Sequence, residues 1–298
     1  MNPPHRYHAF GLNILSEVEI PHWRAGTEPW DVVVQKGAVP RDLPGATPLW
    51  EGSFLGREGV CLLDFPQAGR VLIEEGRRVI FERAAEGNPL WLATLLATTG
   101  FAAVLYQRGG LCLHASAVKH AGRAYLIMGP SGAGKSTTAS ALLKRGGEFV
   151  SDDVTMVAAS AGCGFTATAS FPTVRLRFDS HAEIGFGPEA TPAAALFEDK
   201  VQLRYHGRVV DDAVPIARIC FLDQDDTITR PRAEPMLGQE RVSILQRSLF
   251  RRSLARVVAN PAKLAAATIA LAREVDVIRV TRPTTGFALD ELCALVLN

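Results

Sequence analysis

The chain has 298 residues, 47% apolar and 21% charged, with a formal net charge of +1. That length supports two domains or one large one with a proper core, and the composition excludes wholesale disorder. The charge balance argues against a protein that binds nucleic acid through bulk charge. Five cysteines, about fifty residues apart and without a C-x-x-C pair, argue against disulfide or metal staples and fit a reducing cytoplasm.

The first residues, Met1-Asn2-Pro3-Pro4-His5-Arg6, lack the charged-then-apolar pattern of a signal peptide. Residues 1–86 read as a β-rich N-terminal domain. Apolar alternation runs through Ala9-Phe10-Gly11-Leu12-Asn13-Ile14, and further runs lie at 31–35 and 60–65, with Pro40, Pro44, Gly45 and Pro48 marking loops between them. Val71-Leu72-Ile73-Glu74 and Arg78-Val79-Ile80-Phe81 flank Glu75-Gly76-Arg77, a hairpin signal. His5 and His8 are spaced like a metal pair, but two histidines near a terminus more often meet only water.

Asn88-Pro89 opens a helix in the order of cap, then proline at the first turn. It should run to about Gln107 and stop at Arg108-Gly109-Gly110, connecting two domains across 87–107. Its apolar stretch from Leu90 to Tyr106 holds three threonines and a glycine and is short for a membrane span. A buried helix is therefore expected, and no membrane association.

The third part, 108–298, begins with two strands, Leu111 to Lys119 and Arg123 to Met128, joined by a turn at His120-Ala121-Gly122. The second strand feeds Gly129-Pro130-Ser131-Gly132-Ala133-Gly134-Lys135-Ser136-Thr137, which fits G-x-x-x-x-G-K-[ST]. The chemistry is that of a nucleotide phosphate site. Glycines let backbone N–H groups turn inward as a nest for phosphate oxygens, and the helix that starts at Lys135 adds its partial positive end. Lys135 brings a cation to the β and γ phosphates, and the Ser136 hydroxyl can ligate Mg²⁺. ATP and Mg²⁺ are the expected cofactors.

Gly146-Gly147 should stop that helix, and Glu148 to Asp153 begins a short strand that Val154 to Val157 continues. Asp152 lies seventeen residues after Lys135, with Asp153 beside it. Phosphoryl transfer needs a carboxylate to hold Mg²⁺ and another to accept the proton of an attacking hydroxyl. Neighbouring strand residues face opposite ways, so if both act the chain must bend there. Strands are also expected at 172–177, 200–204 and 217–222. Arg175, Arg177, Lys200 and Arg204 are basic residues that could meet phosphate, or equally cover a sheet surface. Gly238 to Val258 reads as one amphipathic helix, Asn260-Pro261 caps another to about Glu274, 275–280 is a strand, and Ala288 to Val296 is a closing helix. Strands outnumber helices and few alternate with them, which favours a mixed sheet over a doubly wound one.

His114, Gly129 to Ser136 and Ser151-Asp152-Asp153 together resemble the catalytic domain of HPr kinase/phosphorylase, whose nucleotide-binding core is shared with phosphoenolpyruvate carboxykinases. The phrase Leu113-His114-Ala115-Ser116-Ala117-Val118 ahead of the loop is most similar to HPr-kinase-related proteins of peptide-modification clusters. One branch of these phosphorylates the C-terminal Ser of lasso-peptide precursors. The resemblance covers about residues 108–258. It implies an α/β fold with a mixed-sheet P-loop kinase core. It also implies that Asp152 is the base toward the acceptor hydroxyl, that Asp153 helps hold the metal, and that His114 lies near the phosphates. Where HPr kinases carry an E-I-R-G-x-G-type signature, this chain has Thr173-Val174-Arg175-Leu176-Arg177-Phe178, without Glu or Gly. The phosphorylase reaction and HPr docking are not expected, and a different acceptor is.

The leading expectation is a kinase acting on a Ser or Thr hydroxyl of a peptide or protein, with assembly into a homo-oligomer an option that the resemblance leaves open. A small-molecule hydroxyl kinase is the nearest alternative. A P-loop ATPase or switch without transfer to an acceptor is another, although the chain holds no L-S-G-G-Q-like or N-K-x-D stretch.

Overall fold

The computed structural model describes residues 4–50, 53–170, 172–177, 190–197, 200–286 and 288–298, with the backbone alone described for 175–177, 190–197 and 200–202. Contacts divide the chain into two compact units, Met1–Cys112 with Leu249–Ala267, and Leu113–Ser248 with Thr268–Asn298.

The first unit is a nine-stranded sheet followed by a helix. Its strands are β1 (His5–Ala9), β2 (Leu12–Ser16), β3 (Arg24–Ala25), β4 (Val32–Lys36), β5 (Thr47–Leu49), β6 (Phe54–Arg57), β7 (Val60–Phe65), β8 (Gly69–Glu74) and β9 (Arg78–Arg83). The order across the sheet is β3-β1-β2-β4-β9-β8-β7-β6-β5. It is mixed, because β4 runs parallel to both β2 and β9. The stretch from Ala9 to Ile14 is a hairpin and not one strand. Phe10 and Gly11 both have positive φ (55° and 72°), as a two-residue reversal requires. The same signature at Glu75 and Gly76 (52° and 63°) closes the expected β8–β9 hairpin. His8 Nδ1 lies 2.9 Å from Asn13 Oδ1 and His5 stacks on Tyr7. No group of three or more His, Cys, Asp or Glu residues that could hold a metal ion occurs among the described residues.

Helix α1 (Pro89–Gln107) starts as expected, with Asn88 Oδ1 accepting from Leu90 N at 2.9 Å. Its middle turn, Leu96–Gly100, is wound as a π turn. Among the described residues it is the one helix long and apolar enough to cross a membrane, yet most of it is buried inside the protein. Phe101 stacks on Phe10 and meets the edge of Trp23. Fully buried Tyr106 directs its hydroxyl to Phe250 O (2.7 Å) and Cys112 O (2.9 Å). These contacts lie within the first unit, to which α1 belongs.

In the second unit the strands are β11 (Ser116–His120), β12 (Arg123–Met128), β13 (Glu148–Ser151), β14 (Thr155–Ser160), β15 (Gly164–Thr168), β16 (Thr173–Arg177), β17 (Ala190–Phe197), β18 (Lys200–Tyr205), β19 (Val214–Asp225), β20 (Arg232–Pro235) and β21 (Asp276–Pro283), while β10 (Leu111–Leu113) straddles the unit boundary. The run read as one strand from Leu111 to Lys119 is thus broken at His114-Ala115. The main sheet has the order β10-β14-β15-β19-β12-β11-β13, with β21 on β19 and β20 on β21. Strands β12, β19 and β21 are parallel, and β11, β13, β14, β15 and β20 pair antiparallel, so the sheet is mixed, as expected. Helices α2 (Lys135–Lys144) and α6 (Leu289–Leu297) cover one face, where Ala139, Leu142 and Leu143 meet Ile127, Cys220, Leu222, Ile278, Val280, Leu292 and Val296. A separate small sheet has the order β16-β18-β17.

The segment expected as one helix from 238 to 258 is two, α3 (Gln239–Arg247) and α4 (Arg252–Val258). Arg251 has φ +50° and breaks the helix. Ser248 O accepts from His114 N in the second unit, and Phe250 N donates to Cys112 O in the first. Residues 248–250 thus run beside 112–114, and the backbone groups that bond there are not available to a continuous helix. Helix α5 (Pro261–Glu274) follows, capped by Asn260 Oδ1 on Lys263 N.

Candidate functional site

The candidate site gathers at the C-terminal end of β12. Every residue from Leu126 to Met128 is fully buried between β11 and β19, so the strand has no freedom, and the chain that leaves it must turn at once. Gly129 makes that turn with φ +146°, and a Cβ there would stand 2.5 Å from Leu222 O of β19. Only glycine fits so close to a neighbouring backbone. Gly132 and Gly134 also have positive φ, and Gly134 caps α2. Pro130, Ser131 and Gly132 are exposed, Ala133 and Thr137 are buried, and Lys135 and Ser136 are half-buried. The loop presents its open side at the first turn of a ten-residue helix, whose leading N–H groups have no partners within the helix. Lys135 Nζ donates to Gly129 O (2.9 Å) and Pro130 O (3.2 Å), so the ammonium folds over its own loop.

The two aspartates sit on a bend and not in a regular strand. Strand β13 ends at Ser151, Asp153 takes φ +70°, and β14 resumes at Thr155. Aspartate tolerates this left-handed conformation better than most residues. Hydroxyls brace the bend. Thr155 Oγ1 donates to Ala115 O (2.9 Å), so it accepts from Ser151 Oγ (2.6 Å).

The bend splits the surroundings of the two carboxylates. Asp152 is 6% exposed. It accepts from Ser136 Oγ at 3.1 Å to Oδ1 and 3.3 Å to Oδ2, and from Ser116 Oγ. The Asp153 side chain is 23% exposed, and its Oδ1 lies 3.3 Å from His114 Nδ1. The backbone O of Asp153 is 3.1 Å from the same nitrogen. Two acceptors facing Nδ1 place the ring proton there and leave Nε2 without it when the ring is neutral.

The structure therefore brings together Ser136, Asp152, Asp153 and His114, with Lys135 on the loop beside them. The side chains of Arg175, Arg177 and Lys200 lie outside the described residues, and Arg204 is exposed at a strand position opposite Thr173. The sequence reading did not single out two residues found here. Ser116 is one. Arg282, from the end of β21, is the other, and donates from Nε to Ala133 O (2.8 Å) and from Nη2 to Gly132 O (3.5 Å). Burial lowers the Arg282 pKa from the ordinary arginine value. No spacing rule would have found it, since its place depends on the parallel pairing of β19 and β21.

A cavity of about 390 Å³ is lined by Asp223, Asp225, Arg232, Arg279 and Thr281. Strand alternation sets Arg279 and Thr281 opposite to Ile278 and Val280, which pack against α2, so this cavity opens on the other face of the sheet from the loop.

The family described as SynChlorMet cassette protein ScmC matches residues 84–184. No curated protein matches. Among solved structures, the Hpr(Ser) kinase/phosphatase from Coxiella burnetii is similar over 63% of this chain and 88% of that one, at 13% identity and a TM-score of 0.34. A likeness that loose carries nothing about the site.

Proposed function

We propose that this protein is an ATP-dependent kinase with a P-loop kinase core, which transfers the γ-phosphate to a Ser or Thr hydroxyl of a peptide or protein. The C-terminal Ser of a lasso-peptide precursor is the acceptor that the sequence resemblance suggests. The observation that carries the reading is the hydrogen bond from Ser136, in the first turn after the glycine-rich loop, to the carboxylate of Asp152. It joins two hard oxygen donors of the type Mg²⁺ takes, next to a loop built for phosphate.

The donor set fits the metal. Ser136 and Asp152 would hold Mg²⁺, which when bound neutralises charge on the β and γ phosphates. Lys135 would leave the carbonyls of Gly129 and Pro130 for the phosphate oxygens. Asp152, nearly buried and bonded by two hydroxyls, has little access to an acceptor. Asp153 is more exposed and is oriented by His114, which supports it as the base that takes the acceptor proton. This division reverses the one that the resemblance implies. Two carboxylates in separate surroundings suit transfer to a hydroxyl better than nucleotide binding alone.

The test is intact-mass spectrometry after incubation with ATP and Mg²⁺ of ribosomal peptides ending in Ser, HPr-like proteins and free serine. A gain of one phosphate on a peptide Ser supports the reading. Modification of free serine alone would move it to small-molecule kinases. ATP turnover with every acceptor unmodified would refute it.

A further inference from the structure

We infer that Arg282 is a positioning residue that fixes the shape of the phosphate loop, by holding the carbonyls of Gly132 and Ala133 turned away from the nucleotide. The inference rests on the proposed nucleotide site and adds a part to it that lies outside the loop motif.

The register of β21 explains how the residue arrives. Ile278 and Val280 face α2 in the core, and two positions further on, Arg282 emerges on the same face where the core ends and the loop begins. The other arginine of the strand has a different environment. Arg279 is paired with Asp223 (2.8 Å) and Glu240 (2.7 Å) on the opposite face. Among the described residues Arg282 has no carboxylate partner, and its donors go to the carbonyls of Ala133, Gly132 and Pro283. A guanidinium held by backbone oxygens at a half-buried site is placed by geometry and not by charge pairing.

The peptide plane gives the consequence. When a carbonyl is held outward, the N–H on the far side of the same peptide unit is held inward. Ala133 O and Gly132 O belong to the peptide units that carry the N–H groups of Gly134 and Ala133. The N–H of Ala133 already donates to Pro130 O (3.2 Å) inside the loop, so fixing Ala133 O fixes the N–H of Gly134 as a donor of the phosphate nest before any nucleotide arrives. Lysine at 282 would lack the fixed planar fork that presents separate N–H donors to the two carbonyls, so it is a poor substitute.

The experiment titrates ATP with Mg²⁺ by calorimetry into wild type, Arg282→Met and Arg282→Lys, and follows amide exchange of 129–134 without nucleotide. Arg282→Met should weaken ATP at least about tenfold, and Arg282→Lys should recover only part of that. Exchange at 129–134 should speed up in both variants while that of β19 stays unchanged. ATP affinity within about twofold of wild type, or unchanged exchange in the loop, overturns the inference. Full recovery by lysine overturns it too, since charge alone would then suffice. If Arg282→Met does not fold, the lysine variant and its exchange profile decide. A wild type that does not bind ATP would instead remove the proposed function, so the two failures are distinct.

Discussion

Replacing Gly129 with alanine probes the loop at its tightest point. Two effects act there. A non-glycine residue at φ +146° is strained, at a cost of about 1–3 kcal/mol. The new Cβ would also stand 2.5 Å from Leu222 O, where about 3.0 Å is the closest real approach, so at least 0.5 Å (3.0 − 2.5) must be relieved. Leu222 belongs to β19 in the middle of the sheet, hydrogen-bonded on both sides, and cannot move. The loop must lift instead, and its N–H groups move with it. The loss should therefore fall mainly on ATP affinity, by about 5- to 150-fold for 1–3 kcal/mol, with a smaller loss of stability. Calorimetric titration of ATP and urea unfolding measure the two together. Gly132→Ala is the control, because φ is +84° but the space beyond is open, so strain acts without a clash. An affinity and a stability both unchanged in Gly129→Ala would refute the reasoning. So would a Gly132→Ala variant more impaired than Gly129→Ala.

The division of the aspartates separates by readout. Asp153→Asn should lower kcat by about 10² or more while Mg²⁺-dependent ATP binding stays within a few-fold, whereas Asp152→Asn should weaken the Mg²⁺ dependence of ATP binding itself. The opposite pattern would return the base to Asp152. Tyr106→Phe should cost about 1–2 kcal/mol in urea unfolding, because Phe250 O loses its buried donor, and unchanged stability would contradict that. A thiol reagent at neutral pH should modify Cys163 quickly and the other cysteines only after denaturation. Cys61, Cys112, Cys220 and Cys293 are buried, and burial pushes the Cys220 thiol up to about 12. Rapid modification of a second thiol in the folded protein would count against the core described.

Local chemistry was legible in the sequence. The glycine spacing of 129–134, the cap at Asn88-Pro89 and the Glu75-Gly76 turn are short-range signals, and each gave the right conformation. The need for a bend at Asp152-Asp153 followed from strand alternation alone. What stayed hidden depends on distant pairing. The break at 248–251 has no glycine or proline to mark it, and goes with backbone bonds to His114 and Cys112, more than a hundred positions earlier. The Phe10-Gly11 turn was masked by apolar alternation that continued through it, since Ala9, Leu12 and Ile14 are buried on both arms of the hairpin. Arg282 lies 147 positions after Lys135 (282 − 135) and reaches the loop only through the order β12-β19-β21. Ser116 stood within a phrase already singled out, but its bond to Asp152 needs β11 and β13 side by side.

The fate of the γ-phosphate tests the central claim most directly. Wild-type protein is incubated with Mg²⁺, γ-labelled ATP and a peptide ending in Ser, and the label is separated into peptide and inorganic phosphate as ADP accumulates. The account predicts that label appears on the peptide Ser in step with ADP and that Asp153→Asn abolishes its appearance. Label found only as inorganic phosphate, whatever the peptide supplied, would contradict it.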